Sequence, residues 1–176
     1  MAEIRATVLL VAALLLLGCG SQQSEAASSR ASALAVGQLA PDFSAHDQNG
    51  KPVSLSALHG KHVVLYFYPK DETHGCTIEA EAFRDTYEQL TKLGATIVGV
   101  SADDDASHKA FAANHGLPFT LVSDRDGALA AKYGVPMHLG MISRQSFVIA
   151  PDGRLKRIFR DVDVSKHASE IAAAVQ

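Results

Sequence analysis

The segment from Tyr66 to Thr77, Y-F-Y-P-K-D-E-T-H-G-C-T, puts a thiol, Cys76, at the end of a strand-to-helix loop and in the first turn of the following helix. Unpaired backbone N–H groups at a helix start, with about half a positive charge from the aligned peptide dipoles, favour a thiolate over a thiol. The thiolate is the nucleophile, so this placement points to attack on an electrophilic atom. The dipole contributes only roughly 0.3 to 2 kcal/mol, so a poised thiolate also needs a cation from elsewhere in the chain.

The only other cysteine, Cys19, falls in a different setting. Residues 1–18 read as an export signal, with Arg5 ahead of the unbroken aliphatic run Val8 to Leu17. That run is too short for a bilayer span of about 20 apolar residues but fits a signal-peptide core. The L-L-G-C that closes it resembles the lipobox of bacterial lipoproteins, which implies acylation of Cys19 and anchoring of the exported chain to a bacterial membrane. Residues 19–35, rich in Ser, Ala and Gln and without apolar period, read as a flexible tether to a domain at 36–176. With Cys19 lipidated, Cys76 is a leftover thiol, either an inert buried group or a reactive one, and composition alone favours the inert reading.

The elements that must position Cys76 alternate. Asp42 to His46 and Lys51 to Leu55 flank Asn49-Gly50, a hairpin signal. His62 to Tyr68 is a β-branched and aromatic run expected of a strand buried on both faces. Cys76 to Leu93 carries Ala80, Phe83, Tyr87 and Leu90 at helical spacing, which predicts one amphipathic helix. Thr96 to Val100 reads as a strand, Ala106 to His115 as a helix, Phe119 to Val122 as a strand and Gly127 to Tyr133 as a short helix. Gln145 to Ala150 and Leu155 to Phe159 flank a Pro-Asp-Gly turn, and Val164 to Val175 closes as a helix. The order predicts an α/β fold of thioredoxin-like layout, a central mixed sheet flanked by helices, with an N-terminal hairpin extension. A formal net charge of -3 without any Lys/Arg cluster argues against a nucleic-acid partner.

The spacing P-x-x-x-T-x-x-C, here Pro69, Thr73 and Cys76, resembles the signature of peroxiredoxins, and the similarity runs from A-P-D-F at Ala40 to R-x-S-F-V-I at Arg144. The nearest look is to the bacterioferritin-comigratory, or peroxiredoxin Q, group. The resemblance implies a peroxidatic role for Cys76, a hydrogen bond from Thr73 to thiolate and peroxide, shielding by Pro69, and an activating cation at Arg144. Backbone N–H groups of Gly75 and Cys76 complete the implied peroxide site, and Glu79 takes a structural hydrogen bond in its wall. Two positions depart from the group. Glu81 stands where many members have a resolving cysteine, and His74 stands where the group usually has Pro; His74 has two readings, a side chain that tunes Cys76 electrostatically or directs a partner thiol, and a solvated loop residue, the simpler of the two.

The implied activity is a thiol-dependent peroxidase acting on hydrogen peroxide or organic hydroperoxides, without bound cofactor. The absence of a second thiol in the domain points to a one-Cys cycle with an external thiol reductant, thioredoxin-like, glutaredoxin-like or small. A thiol-disulfide oxidoreductase of the same layout is disfavoured because Thr73 occupies the place of the first cysteine of C-x-x-C. A membrane-tethered redox sensor is the alternative from another class. Asp103 to Asp105 read as a helix start with solvating charge, and the remaining histidines are scattered without metal-site spacing.

Overall fold

Asn49-Gly50 turns the chain back as expected: β1 (Ser44–His46) pairs antiparallel with β2 (Pro52–Ser54), and Gly50 takes the positive φ of +76° that the turn requires. The computed structural model describes residues 33–176, so the signal segment 1–18, Cys19 and the tether up to residue 32 lie outside the described residues. A 3₁₀ turn at Ser56–Leu58 leads into β3 (His62–Phe67), where Val63 to Phe67 are each at most 1% exposed. Pro69 follows the strand, and the loop then delivers the chain into α1 (His74–Asp85). Next come α2 (Tyr87–Lys92), β4 (Ala95–Ser101), α3 (Asp105–His115), β5 (Thr120–Ser123) and α4 (Ala128–Lys132). The two-residue strands β6 (Met137–His138) and β7 (Met141–Ile142), then β8 (Gln145–Ile149), β9 (Leu155–Phe159) and α5 (His167–Val175), complete the chain.

The central sheet has the order β5-β4-β3-β8-β9. β3 runs parallel to β4 and β4 to β5, while β8 is antiparallel to both β3 and β9. This is the mixed sheet of a thioredoxin-like fold, with β3 at its centre. The period of two along β3 divides the core. Val64, Tyr66 and Tyr68 join Phe83, Leu90, Phe111 and Ile171 on the face covered by α1, α2, α3 and α5. Val63, Leu65 and Phe67 join Phe43, Leu129, Tyr133 and Phe147 on the other face. Leu34, within the expected tether, packs against this second cluster.

Two expectations need correction. The single helix foreseen from Cys76 to Leu93 is two, and it starts earlier, at His74. The break falls at Thr86, whose hydroxyl donates back to the Ala82 carbonyl at 2.8 Å, a local bond that competes with helix geometry. The apolar spacing passes through the break unchanged, which hides it from periodicity. The β6–β7 hairpin was not foreseen, since two-residue strands carry no period.

The sheet is tightest where β4 crosses behind Tyr66. Gly99 pairs with Tyr66, and a Cβ at Gly99 would stand 2.7 Å from the Tyr66 ring and 2.8 Å from Leu121 Cδ2. Both neighbours sit in the packed core and have nowhere to retreat. Gly99→Ala is expected to cost about 1 to 3 kcal/mol, read as a lower urea midpoint at unchanged m-value; an unaltered midpoint would show that the core yields at this point.

Candidate active site

The loop between β3 and α1 is pinned before it reaches the thiol. Tyr68 donates its hydroxyl to Asp71 Oδ1 at 2.7 Å, and on α3 Ser107 donates to Asp71 Oδ2 at 2.8 Å, as does His108 Nδ1 at 2.9 Å. Burial alone would raise the Asp71 carboxyl, but the hydrogen bonds from His108 and Tyr68 hold it below its ordinary range, so it is an ionised acceptor. The Asp71 N–H donates to Asp103 Oδ2 at 2.8 Å, and Ser101 Oγ donates to the same oxygen at 2.7 Å. Of the acidic triplet, Asp104 is the helix start that its position suggests, capping the N–H of Ser107. Asp103 instead holds the loop.

The pinned loop sets Cys76 in the first turn of α1, 2% exposed. Thr77 makes the first intrahelical bond, its N–H donating to the Thr73 carbonyl at 2.8 Å. The N–H groups of Gly75 and Cys76 precede it and have no helical acceptor, so they are free to meet an anionic or oxygen ligand. Arg144 stands one residue ahead of β8, whose Gln145 pairs with Phe67 at the end of β3. Its guanidinium therefore emerges at the same end of the sheet as the loop. Nη2 donates to Cys76 Sγ at 3.1 Å, which supplies the cation that the helix dipole lacks.

The same guanidinium donates through Nη1 to Glu79 Oε2. Glu79 is one turn beyond Cys76 on α1 and 1% exposed. Burial pushes its carboxyl up to about 7, against the pull of Arg144 beside it. Glu79 is thus a buried acceptor for Arg144. A Cβ at Gly75 would lie 3.6 Å from Arg144 Nη2, an ordinary contact, so Gly75 leaves room without being strictly required.

Thr73 departs from expectation. Its hydroxyl donates to the Lys70 carbonyl at 3.0 Å and not to the sulfur, because the loop brings that carbonyl within reach first. The lone pairs of Oγ1 remain able to accept from a ligand O–H. His74 is exposed at the first position of α1, consistent with a solvated side chain. Pro69, partly buried, lines a cavity of about 240 Å³ with Lys70, Ala102, Asp103, Leu139, Gly140 and Met141.

Glu81, at the position of the missing thiol, is occupied. His115 of α3 stands between two carboxylates, Nδ1 3.1 Å from Glu81 Oε1 and Nε2 2.9 Å from Glu72 Oε2. Each ring nitrogen faces a carboxylate oxygen, and the bond to Glu72 above all, then that to Glu81, raises the His115 pKa. Glu72 has a positive φ of 59°, an uncommon state for a residue with a side chain. Its bonds to His115 and, at 2.9 Å, to Asn114 Nδ2 hold it there. Loop, α1 and α3 are joined by one imidazole ring.

The profile of the AhpC/TSA family matches residues 36–158. The chloroplastic peroxiredoxin Q of Arabidopsis thaliana is 50% identical over 137 residues, 76% of this chain and 63% of that protein. That of Triticum aestivum is 47% identical over 143 residues, 80% of this chain and 66% of the other. The chain therefore spans just under two thirds of the length of these relatives. Among solved structures, the peroxidoxin BcpB of Mycobacterium tuberculosis superposes with a TM-score of 0.74 at 34% identity, covering 80% of this chain and 95% of that one. The bacterioferritin comigratory protein of Xanthomonas campestris, whose alkyl peroxide reduction activity that structure addresses, gives 0.72 at 36%, covering 76% and 89%.

The His115 bridge makes stability depend on pH with a definite sign. A histidine whose folded pKa is raised above its ordinary 6.5 contributes fully below that value, and the contribution is lost as pH rises through the raised one. Between about pH 6 and about pH 9 the urea midpoint should fall further in the parent chain than in His115→Gln. Equal slopes in the two proteins would show that the bridge carries no linked proton.

Proposed function

Because this chain belongs to the AhpC/TSA family, we propose that it is a thiol-dependent peroxidase with Cys76 as the attacking sulfur. The observation that carries this reading is the Arg144 guanidinium 3.1 Å from a cysteine sulfur in the first turn of a helix. The sulfur attacks one oxygen of ROOH, the S–O bond forms as the O–O bond breaks, and the leaving alkoxide takes a proton to become ROH. Cys76 is left as a sulfenic acid. Arg144 balances charge growing on the leaving oxygen, and the N–H groups of Gly75 and Cys76 hold the peroxide against the helix end. Thr73 Oγ1 accepts a hydrogen bond from the peroxide O–H, water supplies the proton that the leaving alkoxide takes, and Pro69 screens the sulfur from water. No bound cofactor enters.

The cycle is completed from outside the chain. Among the described residues Cys76 is the only cysteine, and Glu81 is engaged with His115. An external thiol, of thioredoxin-like or glutaredoxin-like protein or of a small molecule, attacks the sulfenic sulfur and releases water. A second thiol then frees Cys76 and leaves with the first as a disulfide. The N-terminal sequence supports export and acylation at Cys19, which tethers the enzyme to a bacterial membrane and brings lipid hydroperoxides within its range. The activity described for the Xanthomonas relative supports organic hydroperoxides as substrates.

Peroxide consumption with a thiol donor should vanish in Cys76→Ser, and Arg144→Met should lower kcat/KM by roughly 10² to 10³ while far-UV dichroism is retained. Full activity in Cys76→Ser would sink the assignment. After one equivalent of peroxide without reductant, a sulfenic-acid trap should label Cys76 once, and mass spectrometry should find no intrachain disulfide. A Cys76–Cys19 bridge would replace the one-Cys cycle, and an unmodified Cys19 in the mature protein would remove the lipid anchor.

A further inference from the structure

A second buried histidine faces the site from behind and has no part in the chemistry above. His167 opens α5 and is fully buried, its ring edge-on to Phe83 of α1 at 5.4 Å and to Phe159 of β9 at 5.3 Å. Its Nε2 lies 2.8 Å from Ser146 Oγ on β8 and 3.8 Å from Glu79 Oε1. That carboxyl oxygen has no hydrogen-bond partner, and neither has His167 Nδ1.

The surroundings decide where the ring proton sits. Burial, then the charge of Arg144, lowers the His167 pKa to about 4, so the ring is neutral near pH 7 and carries one proton. On Nδ1 it would be an N–H enclosed by aromatic rings with no acceptor, whereas a bare lone pair there is the lesser loss. The proton therefore belongs on Nε2, pointing at the two oxygens that face it. At 3.8 Å the contact with Glu79 is a dipole contact, Ser146 takes the hydrogen bond, and the Phe83 and Phe159 rings hold the imidazole in place.

We propose that His167 is a positioning residue for the Cys76 site: its Nε2–H, hydrogen-bonded to Ser146 Oγ and 3.8 Å from the unpartnered oxygen of Glu79, sets by its dipole the orientation of the carboxyl group and through it the guanidinium that Arg144 presents to the sulfur. The line of contact runs from the last helix of the chain to the first turn of α1 through Glu79 and Arg144, and each link is a named atom pair. The functional part of this inference rests on Cys76 being the attacking thiol; the contact with Glu79 does not. The other titratable or charged groups that face Glu79 are Arg144 ahead of β8, Cys76 on its own helix and Tyr66 of β3.

The test is the titration of the Glu79 carboxyl carbon by NMR in the full chain, assigned with Glu79→Gln, beside the rate of hydrogen peroxide reduction. His167→Phe removes the donor and should move the Glu79 midpoint up by about one pH unit, with a roughly tenfold lower peroxide rate. His167→Gln keeps a donor amide and should return the midpoint towards the parent value. Ser146→Ala leaves the whole donor to Glu79 and should move the midpoint down, the opposite direction, which decides the matter even if His167→Phe does not fold. An unchanged midpoint in Ser146→Ala, or an upward one, overturns the proposal. A shifted midpoint in a chain without peroxidase activity would instead sink the peroxidase reading and leave the contact standing.

Discussion

One guanidinium serves two buried acceptors: Arg144 reaches the sulfur of Cys76 with one nitrogen and the carboxylate of Glu79 with another. Neither acceptor could be withdrawn from water as an anion at tolerable cost without it, since an unpaired buried charge costs several kcal/mol. The arrangement asks for a helix start, a strand end and a fixed loop at one edge of the sheet. The antiparallel pairing of β8 with β3 meets that demand by bringing Arg144 and the loop after Pro69 to the same end.

The loop itself is held by charge-assisted hydrogen bonds more than by apolar packing. Asp71 collects a hydroxyl donor from Tyr68, just after β3, and hydroxyl and imidazole donors from α3, while Asp103 receives the loop's own N–H. On the other side of the helix start, His115 ties Glu72 to Glu81. The first network is buried at Asp71 and His108 and so is screened less by salt than the second, which is partly exposed. The loop is thus clasped from two sides by bonds of different character.

Much of the fold was legible because its signals are local. The run from His62 to Tyr68 could only be a central strand, and Asn49-Gly50 could hardly be anything but a hairpin turn. Cys76 was legible from its place at a helix start, but Arg144 was not: its proximity depends on sheet pairing across 68 residues, and only the family resemblance pointed to it. Thr73 shows the limit of such carry-over, since its proton goes to a nearby carbonyl. His167 gave no signal at all, because a histidine at a helix start looks the same whether it faces water or a carboxylate. The role of Glu81 was visible only as the lack of a thiol, and its contact with His115 depends on how α3 docks.

Glu79 lies on the same helix as Cys76, whose sulfur is almost wholly covered. Opening the first turns of α1 returns its carboxyl from about 7 to the ordinary 4.5. Between those limits the closed helix holds a proton that the open one gives up, so opening is a proton-releasing step. The closed form is favoured most at the acid end of that window and less as pH rises through it. Any opening of this helix over Cys76 is thereby tied to pH through the same carboxyl group that steadies the cation.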